Sequence, residues 1–336
     1  MLLINLVRSL LLFSMAALLL VSQVYADYSQ HTKAAAFIDK MVNEHQFERE
    51  QVTAWLAAAE KKQSIIDAIS RPAEKTKPWK EYRKIFLGQT RIDQGVEFWN
   101  DNAKTLRRAS EELGVDEQII VAIIGVETRY GRHTGKFRVL DALATLGFDY
   151  EPRASFFVKE LENFLLLARE QKQDPLVLKG SYAGAMGFGQ FIPSSYRAYA
   201  IDFDGDGFAD IWNNPVDAIG SVAHYFKKHR WEKGEIVFSR ARVAEGYDKS
   251  ILNEKVRPHY SLQELAEKGF SPVNKNLRGE EKVVPLVYDG EHGKEFWLGF
   301  DNFYVITRYN RSQLYAMAVW QLSEELRYAY EQQLPL

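Results

Sequence analysis

Three stretches of this 336-residue chain concentrate side chains able to do chemistry. In the first, Asp202-Phe-Asp204-Gly-Asp206-Gly207-Phe208-Ala-Asp210, carboxylates fall at loop positions 1, 3, 5 and 9, with glycine at 6 and the Phe208 carbonyl at 7. This is the spacing with which an EF-hand loop wraps calcium. Four carboxylates within nine residues repel one another unless a hard cation sits among them. Position 12, a bidentate Glu in that pattern, is Asn213; Asp217, sixteenth in the count, is the candidate to close a longer loop. The loop holds no histidine and oxygen ligands would fill the ion's shell, so the ion is expected to be structural.

The second stretch ends in Glu127. It closes the run Ile119–Val126 (IIVAIIGV), apolar on every side, and leads into Thr128-Arg129-Tyr130-Gly131. A carboxyl at the end of a buried helix is desolvated, which disfavours its charged form. A carboxylic acid that keeps its proton near neutral pH is what protonation of a glycosidic oxygen requires. The position suits a buried ion pair with Arg129 or another arginine equally well, and both readings stand. The third stretch, Gly180 to Gln190, has four glycines in eleven residues. Its spacing fits neither GxGxxG nor the phosphate loop. The glycines therefore mark a close approach of backbone to a ligand or helix, or a tight packing turn. Ser181 and Gln190 are the polar groups flanking it.

Composition removes other chemistries. Without cysteine there is no disulfide, zinc-thiolate site, iron–sulfur cluster, cysteine nucleophile or lipid-modified cysteine. The seven histidines form no HExxH pattern, and no G-x-S-x-G elbow occurs. Lys and Arg number 43 against 45 Asp and Glu, so the basic excess of a nucleic-acid binder is absent. An aromatic content of 13% leaves room, beyond the core, for a sugar-binding platform.

The elements that must position these stretches are mostly helical. Residues 33–69 carry Phe37, Ile38, Met41 and Val42, then Val52, Trp55 and Leu56, at helical spacing. Helices are expected over 91–113, stopped by Gly114; from an Asp116 N-cap through Glu127; over 155–171; and over 215–226, with Pro215 at the start. From Glu235 the pattern changes. Segments 235–243, 282–288 and 296–308 read as strands, and a last helix follows Asn310. The fold class is mainly α (α+β). It divides into an N-terminal helical domain (27–100), a core with the acidic loop (101–234), a small β-containing region (235–305), and a strand end and helix returning to the core (306–336). Residues 1–26 have the layout of a signal peptide cut after Ala26: Arg8, an apolar run from Leu10 to Val21, then Val24-x-Ala26. The remainder has no apolar run of spanning length, which predicts a soluble exported protein.

The segments IIGVETRYGRHTGKFRVLDALATLGFDY, KGSYAGAMGFGQFIPSSY, DFDGDGFADIWNNPVDAIGSVAHYF and NFYVITRYNRSQLYAMAV closely resemble the lytic murein transglycosylase B family, over nearly the whole mature chain. The resemblance implies a lysozyme-like helical core with an N-terminal helical domain and a small β-containing domain. It implies cleavage, exo or endo, of the β-1,4 bond between N-acetylmuramic acid and N-acetylglucosamine in peptidoglycan. It puts the family's single catalytic carboxylate on Glu127 and its saccharide-binding residues on Ser181, Gln190, Tyr82, Tyr225, Tyr304, Tyr309 and Asn310. An EF-hand-like Ca2+ site falls on Asp202, Asp204, Asp206, the Phe208 carbonyl and Asp217. The implied partners are glycan strands and cell-wall synthesis proteins, with no nucleic acid, for a monomer. Two departures stand out. The lipid anchor of the best-known member needs a cysteine this chain lacks, which implies a soluble periplasmic form. The acidic loop is also one residue longer, with Asn213-Asn214 before Pro215.

The mechanism so implied has Glu127 protonate the leaving oxygen, then accept the proton of the muramoyl C6 hydroxyl as that oxygen closes a 1,6-anhydro ring. Two rivals remain: a hydrolytic muramidase with Asp141 or Asp149 as second carboxylate, and a non-catalytic, calcium-dependent peptidoglycan-binding scaffold.

Overall fold

The computed structural model describes residues 27–71, 77–277 and 281–333, so the expected signal peptide, 1–26, lies outside the described residues. Among those described, no helix is long and apolar enough to cross a membrane. The chain divides into two compact units, up to Lys61 and from Lys62.

The first unit contains α1 (Ala34–His45) and α2 (Arg49–Ala58). Phe37, Ile38, Met41, Val52 and Leu56 are among its buried residues, while Val42 and Trp55 of the expected pattern are half-buried. Gln46, with φ 55°, ends α1 in the left-handed conformation.

The second unit starts with α3 (Gln63–Ser70), α4 (Trp79–Phe86) and α5 (Gln89–Leu113). Gly114 ends α5 at φ 70°, a stop that glycine adopts without steric cost. The boundary drawn at position 100 falls inside α5, whose one non-helical residue is Asn102. Next comes α6 (Glu117–Thr128), the helix that carries Glu127. Its β-branched run disfavours a helix by propensity alone. Burial overrides this: every side chain from Ile119 to Val126 is buried, and each large aliphatic one contributes about 2 kcal/mol. Asp116 stands at the N-cap position, but its side chain does not cap the helix. Its carboxylate accepts the Trp231 indole N–H (2.9 Å) and the Gly234 N–H (3.2 Å) instead.

Helices α7 (Val139–Asp149), α8 (Ala154–Glu170), α9 (Pro193–Tyr199) and α10 (Pro215–Lys228) complete the helical core. A two-stranded ribbon, β1 (Phe137–Arg138) with β2 (Lys179–Gly180), lies at its edge. The sheet region has its own core of Ile251, Leu265, Phe270, Val283, Leu298 and Phe300. Its strands are β3 (Phe238–Val243), β4 (Tyr260–Ser261), β5 (Phe270–Pro272), β6 (Lys282–Gly290) and β7 (Gly293–Gly299), antiparallel in the order β4-β6-β7-β3-β5. A short helix, α11 (Leu262–Glu267), opens with a capping box between Ser261 and Glu264.

One expected strand is corrected. Of 296–308, only the portion up to Gly299 is extended; Asp301–Tyr309 forms α12. Its buried residues, Asn302, Phe303, Val305, Ile306 and Thr307, follow a helical face rather than alternation. Residues 306–309 are therefore a helix end and not a strand end. The last helix, α13 (Gln313–Glu331), packs against α6 and α5.

Candidate active site

Glu127 lies half-buried in the last turn of α6. The Tyr315 hydroxyl, in the first turn of α13, donates to Glu127 Oε1 at 2.6 Å. Ser312 starts α13 by accepting the Tyr315 N–H, which fixes where this tyrosine leaves the helix. Burial, and then the neighbouring Glu127 carboxylate, hold the Tyr315 and Tyr309 phenols far above their usual range. Both therefore keep their protons and act as donors. The donor serves the ionised form of Glu127, whereas the apolar helix behind it serves the protonated form. Sequence reasoning missed Tyr315. Its partner lies 188 residues away in the chain. The only sequence signal was general: a buried tyrosine hydroxyl needs a partner.

Arg129, the alternative ion-pair partner, gives its Nε–H to Gln94 Oε1 of α5 at 2.7 Å. The Thr128 hydroxyl lies 2.9 Å from the Phe188 carbonyl and accepts the Gly131 N–H, tying the end of α6 to the glycine-rich stretch.

That stretch is a tight turn. Ser181 N–H donates to the Ala185 carbonyl (2.8 Å), and Ser181 Oγ accepts the Ala185 N–H (3.1 Å). Gln190 adopts φ 51°, and its amide NH2 donates to the Thr134 carbonyl (3.2 Å) and the Gly187 carbonyl (3.0 Å). Gly187 has φ 67°, and a Cβ there would run into the Ile211 carbonyl, so glycine is needed on two counts. The close approach is thus to protein: to Ile211, and to Tyr309, whose hydroxyl donates to the Gly189 carbonyl at 2.6 Å.

The other candidate tyrosines are buried or half-buried. Tyr82 is 1% exposed, against Trp79 and Phe86. Tyr225 is 7% exposed, stacks on His229 at 4.0 Å and donates to the Arg308 carbonyl at 2.7 Å. Tyr225 also packs edge-on to Tyr309 at 4.7 Å, so Tyr225, Tyr309 and the Gly189 turn form one cluster beside Glu127. Tyr304 is half-buried, with the Arg308 guanidinium 4.2 Å over its ring. The Asn310 side-chain oxygen accepts the Ser312 N–H at 3.1 Å, at the turn into α13. Asp141 is buried and held by a bidentate pair with Arg138, both contacts 2.8 Å. Asp149 closes α7, half-buried.

The acidic loop is a second, separate centre. Asp202, Asp204, Asp206 and Asp217 each bring a carboxylate oxygen to within 4.8 Å of the others. Asp202 accepts the N–H groups of Gly207, Gly205 and Asp206, which hold its carboxyl below the usual range against the opposing effect of desolvation. Asp217 is fully buried and reaches back from α10 to accept the N–H groups of Phe203 (2.7 Å) and Asp210 (2.8 Å). Burial raises its carboxyl, and those hydrogen bonds oppose the rise. The extra Asn pair has a use: Asn214 Nδ2 donates to Asp204 (2.7 Å) and Asp217 (3.3 Å), while its Oδ1 caps α10 by accepting the Val216 N–H. Asp210 instead accepts the Trp212 and Asn213 N–H groups. The Phe208 carbonyl accepts the Asp210 N–H at 2.9 Å.

Comparison with known proteins bears on both centres. A family model described as the transglycosylase SLT domain matches residues 29–324. Membrane-bound lytic murein transglycosylase B of Escherichia coli (strain K12) is 47% identical over 318 residues, covering 92% of this chain and 86% of that protein. The catenated lytic transglycosylase SltB1 of Pseudomonas aeruginosa is 55% identical with a TM-score of 0.87, over 90% of this chain and 100% of that one. Escherichia coli Slt35, solved with bulgecin A and also with calcium, is 46% identical with a TM-score of 0.83, over 93% and 98%.

Proposed function

This chain belongs to the lytic murein transglycosylase family, and we propose that Glu127 is the single acid and base with which it cleaves peptidoglycan. The fold is lysozyme-like, and the enzyme acts on murein and leaves an anhydro product. In our reading Glu127 enters protonated and donates to the oxygen leaving C1 of N-acetylmuramic acid. The carboxylate it becomes takes the proton of the C6 hydroxyl of the same sugar, whose oxygen forms the new bond to C1. No water is consumed, and the intramolecular nucleophile has a high effective concentration. The substrate's acetamido group stabilises the positive anomeric carbon, as in other substrate-assisted glycosidases. Ser181, Gln190, Tyr304, Tyr309 and Asn310 are the polar groups we assign to the glycan, with Tyr82 and Tyr225 shaping the wall behind them.

The observation that carries the reading is the 2.6 Å contact of Tyr315 with a half-buried Glu127. It fixes one carboxyl at the end of an apolar helix and stabilises the charged form that must appear between the two proton transfers. The hydrolytic alternative needs a second carboxylate able to activate water, and Asp141 is committed to Arg138.

The acidic loop fits a hard cation in its donor set, all carboxylate and carbonyl oxygen. Slt35 was solved with calcium, and we assign Asp202, Asp204, Asp206, Asp217 and the Phe208 carbonyl as ligands of a structural Ca2+ here. The expected export of residues 27–336 to the periplasm follows from the signal-peptide layout of 1–26.

The deciding experiment is mass spectrometry of soluble products from purified sacculi digested with residues 27–336. Muropeptides ending in 1,6-anhydro-N-acetylmuramic acid are expected. Reducing ends would overturn the water-free mechanism, and binding without release would favour the scaffold.

A further inference from the structure

One residue beyond Glu127, after Thr128 ends α6, come two consecutive non-glycine residues in the left-handed conformation, Arg129 (φ 52°) and Tyr130 (φ 61°). Side chains with a Cβ rarely adopt this geometry, and two in a row persist only where the surroundings impose it. The imposing element is one face of α5. Arg91, Gln94, Gly95 and Phe98 lie at i, i+3, i+4 and i+7, a single stripe of the helix.

Each member of the stripe grips the end of α6. Arg91 Nη1 donates to the Gly125 carbonyl at 2.5 Å, the same carbonyl that accepts the Arg129 N–H at 3.1 Å. A cation thereby caps the negative end of the helix two residues before Glu127. Gln94 takes the Arg129 Nε–H. Gly95 leaves a notch for the Tyr130 ring, which stacks on Phe98 with centroids 5.7 Å apart and also packs on Gly125. The Tyr130 hydroxyl is buried in this notch, with no hydrogen-bond partner among the described residues. Beyond the stripe, Glu97 and Arg132 form an exposed pair at 3.1 Å.

We propose that Arg91 and Gln94 are positioning residues for Glu127: they lock the left-handed exit of α6 and so fix the carboxyl over both substrate oxygens. The proposal rests on Glu127 as the acid and base. One carboxyl that serves two oxygens in turn has little tolerance for displacement, because a shift of about 1 Å costs on the order of 100-fold in rate. Neither Arg91 nor Gln94 is assigned a contact with the glycan, so their loss acts on the chemical step and not on binding.

The test is steady-state kinetics on soluble peptidoglycan fragments, with the melting temperature of each variant recorded alongside. Arg91→Met should lower kcat by about tenfold or more while KM stays within about threefold. Arg91→Lys should restore most of the loss, because an ammonium can donate to the same carbonyl. Gln94→Leu should lower kcat by a smaller factor, about threefold, again without a KM change. The exposed variant Glu97→Gln should match the parent. Should Arg91→Met fail to melt cooperatively, Gln94→Leu carries the test. The idea is overturned if kcat per folded molecule is unchanged in Arg91→Met or Gln94→Leu, or if KM rises while kcat holds. Glu127→Gln, run in parallel, separates the two readings. If it stays active, the Glu127 assignment fails; if it is inactive while the α5 variants are normal, only the positioning role fails.

Discussion

The acidic loop and the Glu127 site are built on opposite plans. The loop draws three of its four carboxylates from five consecutive residues, and its shape is set by backbone N–H groups of the same segment. The Glu127 site draws on α5, α6, α13 and the glycine-rich turn, and its key hydrogen bond spans 188 residues. A site assembled locally can be altered with mainly local effects. A site assembled from distant helices depends on the packing of the whole core.

That contrast can be broken or sharpened by experiment, beginning with the largest effect. Glu127→Gln should reduce turnover of sacculi by about 10²–10⁴-fold, the usual worth of a positioned acid–base group, with the melting temperature unchanged. Residual activity near the parent value would remove Glu127 from the chemistry. Tyr315→Phe deletes one hydrogen bond to a charged group, worth about 1.5–3 kcal/mol, so kcat should fall by about 10–100-fold. A wild-type kcat would show that the distant helix does not matter to the acid.

The loop should respond in stability first. At calcium 100-fold above Kd, bound ion contributes about 2.7 kcal/mol. Chelation should therefore lower the melting temperature while leaving kcat, measured well below the transition, nearly intact. A large kcat loss at constant folded fraction would mean the two centres are coupled. The calcium stabilisation should shrink on acidification, because protons compete for the ligand carboxylates. Asp217 is the first ligand expected to take one up, since burial raises its carboxyl while Asp202 is held low by its N–H donors. Calcium-dependent melting shifts measured across the acid range would test this, and a pH-independent shift would contradict it. The smallest effect is expected from Asn214→Ala, which removes the amide bridge between Asp204 and Asp217 and should cost about 1 kcal/mol in thermal melts. No change would make Asn214 a spacer.

The same contrast explains what was legible in the amino-acid sequence. The acidic loop could be read because its calcium-loop spacing is carried by nearly consecutive residues. Even Asp217, separated from the rest by the extra Asn213-Asn214, converges on the other three carboxylates. Glu127 could be read from the apolar run before it, since eight buried residues in a row force the next polar one into a desolvated place. Tyr315, Arg91 and Gln94 could not, because nothing local marks a tyrosine or an arginine whose partner lies on another helix. Residues 301–309 were misread for a different reason. Phe, Tyr, Val and Ile suit both a buried helix and a strand, and only the order of burial separates the two periods. Asp116 was correctly placed at a helix start, but two distant donors claim its carboxylate.

Asn214 has one further consequence. Asp202 is oriented by backbone N–H groups, and Asp204 and Asp217 are bridged by the Asn214 amide, so the protein's own hydrogen bonds hold these carboxylates in place. The loop thereby works as a fastening: through Asp217 it ties the first turn of α10 to Phe203 and Asp210, so the segment before the helix cannot part from it without breaking these bonds.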